Sequence, residues 1–248
     1  MKKLALFVLL GFALLGFALV LLRLPASLMD HVVASASDGR LRIAAAEGSF
    51  WRGSGTLATS DGRRQLRAVR PVTWRFGTTG SALSLQLGEQ GRPLAQLLFS
   101  VTGADLSGLD LDLPAALVAD AIPHPASRAG WRGNARFSAP AIACDWRGRC
   151  NGELRITWRD AGVDIVPGQH FGDYLLTLRL VGDRTALELD TVTGSIRVAG
   201  RGELDRNGTG SFAGTVEGDP EIVDRIPNIM NRNAARGDKP GMIRIMFP

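Results

Sequence analysis

The sequence holds few of the residues from which a reactive centre is assembled. Cysteine occurs only as Cys144 and Cys150, and histidine only as His31, His124 and His170, far apart along the chain. A structural zinc site takes about four Cys or His ligands, so metal chemistry lacks its donors. There is no Gly-x-Ser-x-Gly elbow, no His-Glu-x-x-His helix and no phosphate-binding loop, which removes the commonest hydrolase and nucleotide readings. Nor does any basic run of five residues occur. The net charge of +5 comes from arginines scattered along the chain and offset by 24 acidic residues, with Lys2 and Lys3 at the N-terminus. That distribution is unlike a nucleic-acid footprint, and no nucleic-acid partner is expected.

What the chain does have is an apolar run of 19 uncharged residues, Leu4 to Leu22, behind Lys2 and Lys3. As a helix it spans roughly 28 Å, close to the ~30 Å hydrocarbon core of a bilayer. Residues 1–3 then form a cytoplasmic tail by the positive-inside bias, 4–22 a single transmembrane helix, and the rest lies across the membrane. A cleaved signal peptide is the rival, with Ala34-Ser35-Ala36 imitating a cleavage site. The run exceeds the usual 7–15-residue apolar core of such peptides, and the triplet lies well beyond its end. An anchor is therefore expected.

Leu24-Pro25 ends that helix, and residues 24–40 read as a connector whose helix, Ala26 to Ala36, carries Leu28, Met29, Val32 and Val33 on one side. Alternation follows. Leu83, Leu85 and Leu87 oppose Ser84 and Gln86, and Leu109, Leu111 and Leu113 oppose Asp110 and Asp112. Leu154, Ile156 and Trp158 oppose Arg155, Thr157 and Arg159, while Ile196, Val198 and Leu204 oppose Ser195, Arg197, Arg201 and Glu203. A period of two is what half-buried antiparallel strands require. Asp205-Arg206-Asn207-Gly208 reads as a turn, Met242 to Phe247 as a final strand, and Pro114–Ala121 and Pro220–Met230 as short helices. Trp51-Arg52-Gly53 leads to Val72-Thr73-Trp74-Arg75, Trp146-Arg147-Gly148 leads to Ile156-Thr157-Trp158-Arg159, and a third triplet lies at 131–133. The expected fold is thus mainly β: an N-terminal transmembrane helix and an antiparallel β-rich domain of two related halves, 41–124 and 129–248, with a few short helices.

In an oxidising compartment Cys144 and Cys150, flanking Asp145 to Arg149, read as a disulfide pinning a hairpin rather than as free or metal-binding thiols. Each Trp-Arg-Gly triplet carries two readings. An exposed Trp beside Arg is a protein-binding anchor; alternatively Trp closes a β-core, Gly permits a tight turn and Arg points to water. Trp146 and Arg147 are the first choice for an interface and Trp51 and Arg52 the second. Weaker constellations have bland explanations: His170 and Asp173 a polar turn, Asp110 and Asp112 a solvated face, His124 an exposed linker, and Gly208-Thr209-Gly210 with Gly214 a turn and a weakened strand.

At Glu47-Gly48-Ser49-Phe50-Trp51-Arg52-Gly53-Ser54-Gly55 the chain resembles the type II secretion system protein N family. Leu24-Pro25-Ala26, Leu154 to Trp158, Phe171-Gly172-Asp173-Tyr174 and Gly200-Arg201-Gly202 before the Asn207-Gly208 turn extend the resemblance over nearly the whole chain, and the cysteine pair is compatible with it. The resemblance implies a single inner-membrane helix with a periplasmic domain, bound to the inner-membrane platform. It implies an accessory role in export of folded proteins through the outer-membrane secretin, with no enzymatic activity and no cofactor. Partners would be platform proteins, the secretin, or both. The alternative is a membrane-anchored carrier of lipid or another apolar ligand, since a long sheet curled round an apolar groove shows the same one-sided alternation.

Overall fold

Apolar–polar alternation becomes strand wherever it was found. The computed structural model describes residues 16, 20–60, 66–121, 130–164, 170–223 and 234–247. Strands β1 Leu41–Gly48, β2 Arg52–Ser60, β3 Leu66–Thr79 and β4 Ala82–Glu89 are followed by β5 Arg92–Phe99, β6 Gly103–Pro114 and β7 Trp131–Asp145. Then come β8 Cys150–Val163, β9 Gly172–Gly182, β10 Arg184–Gly194, β11 Arg197–Asp205, β12 Gly210–Glu217, β13 Ala234–Arg236 and β14 Met242–Phe247. Helices α1 Ser27–Ala36, α2 Ala115–Ala121 and α3 Pro220–Val223 occupy the expected segments, the rest of the third lying outside the described residues. No helix among the described residues is long and apolar enough to cross a membrane. Of Leu4–Leu22, only Gly16 and Val20–Leu22 are described.

The chain divides into two compact units. The first comprises the chain to Thr79 with Leu83–Pro93, the second Gly80–Ala82 with Leu94 onward. In the first, β1, β2 and β3 pair antiparallel in sequence order. Ala26, at the N-cap of α1, and Met29 within it bury with Ile43 and Trp74, and Val33, Phe50, Phe76, Leu85 and Leu87 pack around them. Asp30 accepts hydrogen bonds from Arg42 Nε and Ile43 N, each at 2.8 Å, tying the helix to β1. This rotates α1 so that Ala26, Met29 and Val33 face inward, leaving Val32 51% exposed and off the apolar stripe where the sequence placed it. Ser84 also departs from expectation. It is buried against Gly77, which has no side chain to hold it off the sheet, while Leu83 beside the turn is exposed.

The second unit is a meander in which β5 to β12 each pair with the next, and β14 then β13 extend the row. Register aligns one apolar row across it: Leu111, Phe137, Ile156, Leu176 and Leu189 are successive cross-strand partners. Each is only half-buried. The other face is ionic, with Asp110–Arg136, Asp112–Arg159, Arg179 between Glu153 and Glu188, and Arg201–Glu188. Such exposed pairs contribute little each, about 0–1 kcal/mol, and chiefly keep that face in water. Ile196, Val216, Val223, Ile243 and Ile245 form a buried cluster, with Phe171 and Val198 against it.

Candidate interface at the β7–β8 turn

Asp145-Trp146-Arg147-Gly148-Arg149 closes β7 onto β8. Cys144 and Cys150 are directly opposed across the pair and joined by a disulfide. The loop is built by the Asp145 carboxylate, whose Oδ1 accepts from Arg147 N and Arg149 N at 3.0 Å each, while Oδ2 accepts from Arg149 Nε at 2.7 Å. The Arg149 backbone and guanidinium donors hold that carboxyl below the usual carboxylate range. Gly148 completes the turn at φ 82°, a left-handed conformation that favours glycine, and its N–H reaches Asp145 O at 2.9 Å.

The β11–β12 turn repeats the device. Asp205 Oδ1 accepts from Asn207 N and Thr209 N at 2.9 and 2.8 Å, and Gly208 stands at φ 77°. Alternate turns of a meander emerge at one end, so these loops are neighbours. Arg206 Nη1 donates to Arg147 O at 2.9 Å, and Trp146 Nε1 donates to Ser100 O, in the β5–β6 turn, at 3.1 Å. The ring itself remains outside: Trp146 is 62% exposed, beside the β5–β6 turn that carries Val101 at 95%. Val181, at 69%, ends β9 on the same side. Ser100, Thr102, Asp105, Asp145, Arg149 and Asn151 line an open groove of about 360 Å³ beneath the loop. Ser100 and Thr102 hydroxyls there bond each other at 2.9 Å.

The other triplets are packed. Trp51 lies edge-on to Phe50 and Phe76, with ring centroids 5.3 and 5.7 Å apart, and its Nε1 donates to Leu21 O at 2.7 Å. Trp74 stands over Gly53, where a Cβ would fall 2.4 Å from the indole, and donates Nε1–H to Phe50 O at 3.0 Å. Trp131-Arg132-Gly133 also lies beside a second tryptophan, Trp158, but in a different relation: Trp158 Nε1 donates to Arg132 O at 2.8 Å, and its cross-strand partner is Ala135. Triplets 51–53 and 131–133 each lie beside a second tryptophan, Trp74 and Trp158, whereas the Trp146 ring stands exposed. Trp131, Trp158 and Tyr174 form a ring series with centroids 4.9 and 5.7 Å apart. Tyr174 donates its hydroxyl to Ile196 O at 2.9 Å, and burial, then the Asp173 charge, pushes its pKa up to about 12.

Arg52 is exposed at the start of β2. His170 and Asp173 are not brought together, because the Asp173 carboxylate accepts from Asp160 N at 2.9 Å. Asp110 and Asp112 serve the ionic face, and His124 lies outside the described residues. No group of three or more His, Cys, Asp or Glu poised for a metal occurs among the described residues. Sequence reasoning missed Val101, Val181 and the Arg206 brace. The signal was available in the shared Asp-x-x-Gly spacing of 145–148 and 205–208, which marks two equivalent loops.

The fold defines an antiparallel β-meander protein with ordered turns. The chain belongs to the type II secretion system protein N family, whose model matches residues 39–246. No curated protein and no solved structure shows a significant match to it.

Proposed function

We propose that this chain is a single-pass inner-membrane accessory component of type II secretion, with Leu4–Leu22 as its anchor, Lys2 and Lys3 cytoplasmic, and the β-rich part periplasmic. It contributes protein–protein contacts to platform proteins, the secretin or both, and no chemistry. Residues 41–124 and 129–248 are two related halves, a reading supported by Trp74 and Trp158 each donating Nε1–H to a backbone carbonyl next to the tryptophan of a Trp-Arg-Gly triplet. The observation that carries the functional reading is Trp146 with Arg147, exposed on a loop fixed by a disulfide, by Asp145 and by Arg206. A pre-ordered aromatic–arginine tip loses little entropy on binding and is the residue pairing found at interface hot spots. Anchoring also raises local concentration, so a contact of small area suffices. The test is Trp146→Ala with Arg147→Ala. Co-purification with platform or secretin proteins falls while the thermal transition stays in place; an unfolded double variant contradicts the assignment.

A second reading, an apolar-ligand carrier, is favoured by the half-buried row from Leu111 to Leu189. Organic extraction of the purified chain decides between them, since a carrier retains acyl chains in stoichiometric amount and a scaffold does not.

A further inference from the structure

The β1–β2 turn is fastened to the end of the apolar N-terminal segment. Trp51 Nε1 donates to Leu21 O at 2.7 Å, Phe50 N donates to Leu24 O at 2.9 Å, and Pro25 bridges to Ser49. Leu21 and Leu22 are the last residues of the 19-residue apolar run, and both are exposed, as is Val20. With the run across a bilayer, Trp51 stands at the depth where that helix leaves the hydrocarbon, the level at which Trp rings gather.

Positive charge predominates at the same place. Arg23 follows Leu22 directly, and Arg52 is the cross-strand partner of Arg75. All three are exposed. Like charges directly opposed on a sheet repel. Among the described residues none of the three makes an ion pair with a carboxylate, and Glu47, opposite Ser54, lies one row away. Elsewhere this chain pairs its cross-strand arginines with acids, as at Asp110–Arg136 and Glu188–Arg201. An uncompensated arginine pair beside a Phe–Trp–Phe cluster, tied to the end of an apolar helix, is complementary to an anionic lipid surface.

We propose that Arg23, Arg52 and Arg75, with Phe50, Trp51 and Phe76, form a seat for anionic phospholipid headgroups on the outer surface of the membrane the chain crosses. The proposal rests on the anchor reading above. The arginines take the phosphates, and the aromatic cluster fills the interfacial layer, so the first unit is held flat against the bilayer instead of swinging on Leu24.

The test uses the full chain in vesicles of phosphatidylcholine and phosphatidylglycerol, with bromine on the acyl chains of one lipid or the other. Quenching assigned to Trp51, by difference from Trp51→Phe, is expected to be stronger from brominated phosphatidylglycerol at equal mole fraction. Arg52→Gln with Arg75→Gln is expected to abolish that preference, each removal lowering it by about fivefold. Retention of phosphatidylglycerol by the detergent-purified chain, counted by native mass spectrometry, gives a readout that does not need Trp51→Phe to fold. Equal quenching by both lipids in a chain that resists alkaline extraction overturns the headgroup seat and leaves the anchor standing. Extraction of the chain by alkali overturns both. If the lipid preference survives the arginine changes while a secretion protein is lost from the purified complex, the patch binds protein and the proposal fails.

Discussion

Two Trp-Arg-Gly turns of this molecule use one tripeptide in opposite ways. At Trp51 the indole is folded back among Phe50 and Phe76 and capped onto Leu21 O. At Trp146 it stands away from the sheet, with only its N–H engaged, by Ser100 O. The difference lies in the flanks. Phe50 precedes Trp51 and Phe76 faces it, so the ring has apolar surface to cover. Trp146 sits instead between Asp145 and Arg147 in a loop closed by Cys144 and Cys150, where Asp145 orders the backbone and the ring is left 62% exposed. A motif therefore fixes a turn, and its neighbours decide whether the aromatic packs against other rings or stands exposed.

The comparison is broken most severely in the packed regions. Trp74→Ala removes an indole that is 3% exposed from the centre of the first unit, and a loss of about 3–5 kcal/mol is expected in denaturant titration. A change below about 1 kcal/mol would mean that the cluster with Met29 and Ile43 is not the core of that unit. Tyr174 comes next. Its folded pKa near 12 exceeds the unfolded value of about 10, so the folded chain keeps a proton the unfolded chain has lost. Its contribution is intact below about pH 10 and falls by roughly 2 kcal/mol as the pH rises to 12, a loss that should be absent in Tyr174→Phe.

Opening the disulfide with Cys144→Ser and Cys150→Ser should cost about 2 kcal/mol, the chain-entropy value for so short a loop. Alkylation of the unreduced wild type should modify neither thiol; two modified cysteines would remove the staple from the account. The smallest effect is in the loop itself. The Asp145 carboxyl is held below the usual carboxylate range by Arg149. Its bonds are complete above the ordinary carboxylate pKa and are lost only as the pH falls through the lowered value. Amide exchange at Arg147 and Arg149 should stay slow at pH 4 in the wild type and become fast in Asp145→Ala. Equal exchange in both would show that the disulfide alone orders the tip.

Much of this was legible in the residues. Period-two alternation located β6, β8 and β11, because a sheet with one wet face writes its register into the sequence. Met242–Phe247, α2 and the Cys144–Cys150 pair were legible for the same local reasons, and so was the family, through Gly48 to Gly53. Other features depended on contacts between distant segments. The rotation of α1 away from Val32 is set by Asp30 reaching Arg42, a tertiary bond that outweighs the helix's own apolar stripe. Burial of Ser84 follows from Gly77 on another strand. Which triplets lie beside a second tryptophan could not be read from spacing, since β7 carries 131–133 at its start and Asp145 at its end, so two triplets flank one strand. At the tip, Arg206 reaches Arg147 across 59 residues, beyond any local pattern.

The central claim, that the β7–β8 tip meets a protein while the rest of the sheet does not, is tested most directly by photocrosslinking in living cells. A photoreactive amino acid is placed at Trp146 and, separately, at Val192, which is 57% exposed on β10. The expected result is a discrete crosslink to a platform protein or the secretin from position 146 and none from 192. Equal crosslinking from both positions, or none from 146 in secreting cells, would contradict the account.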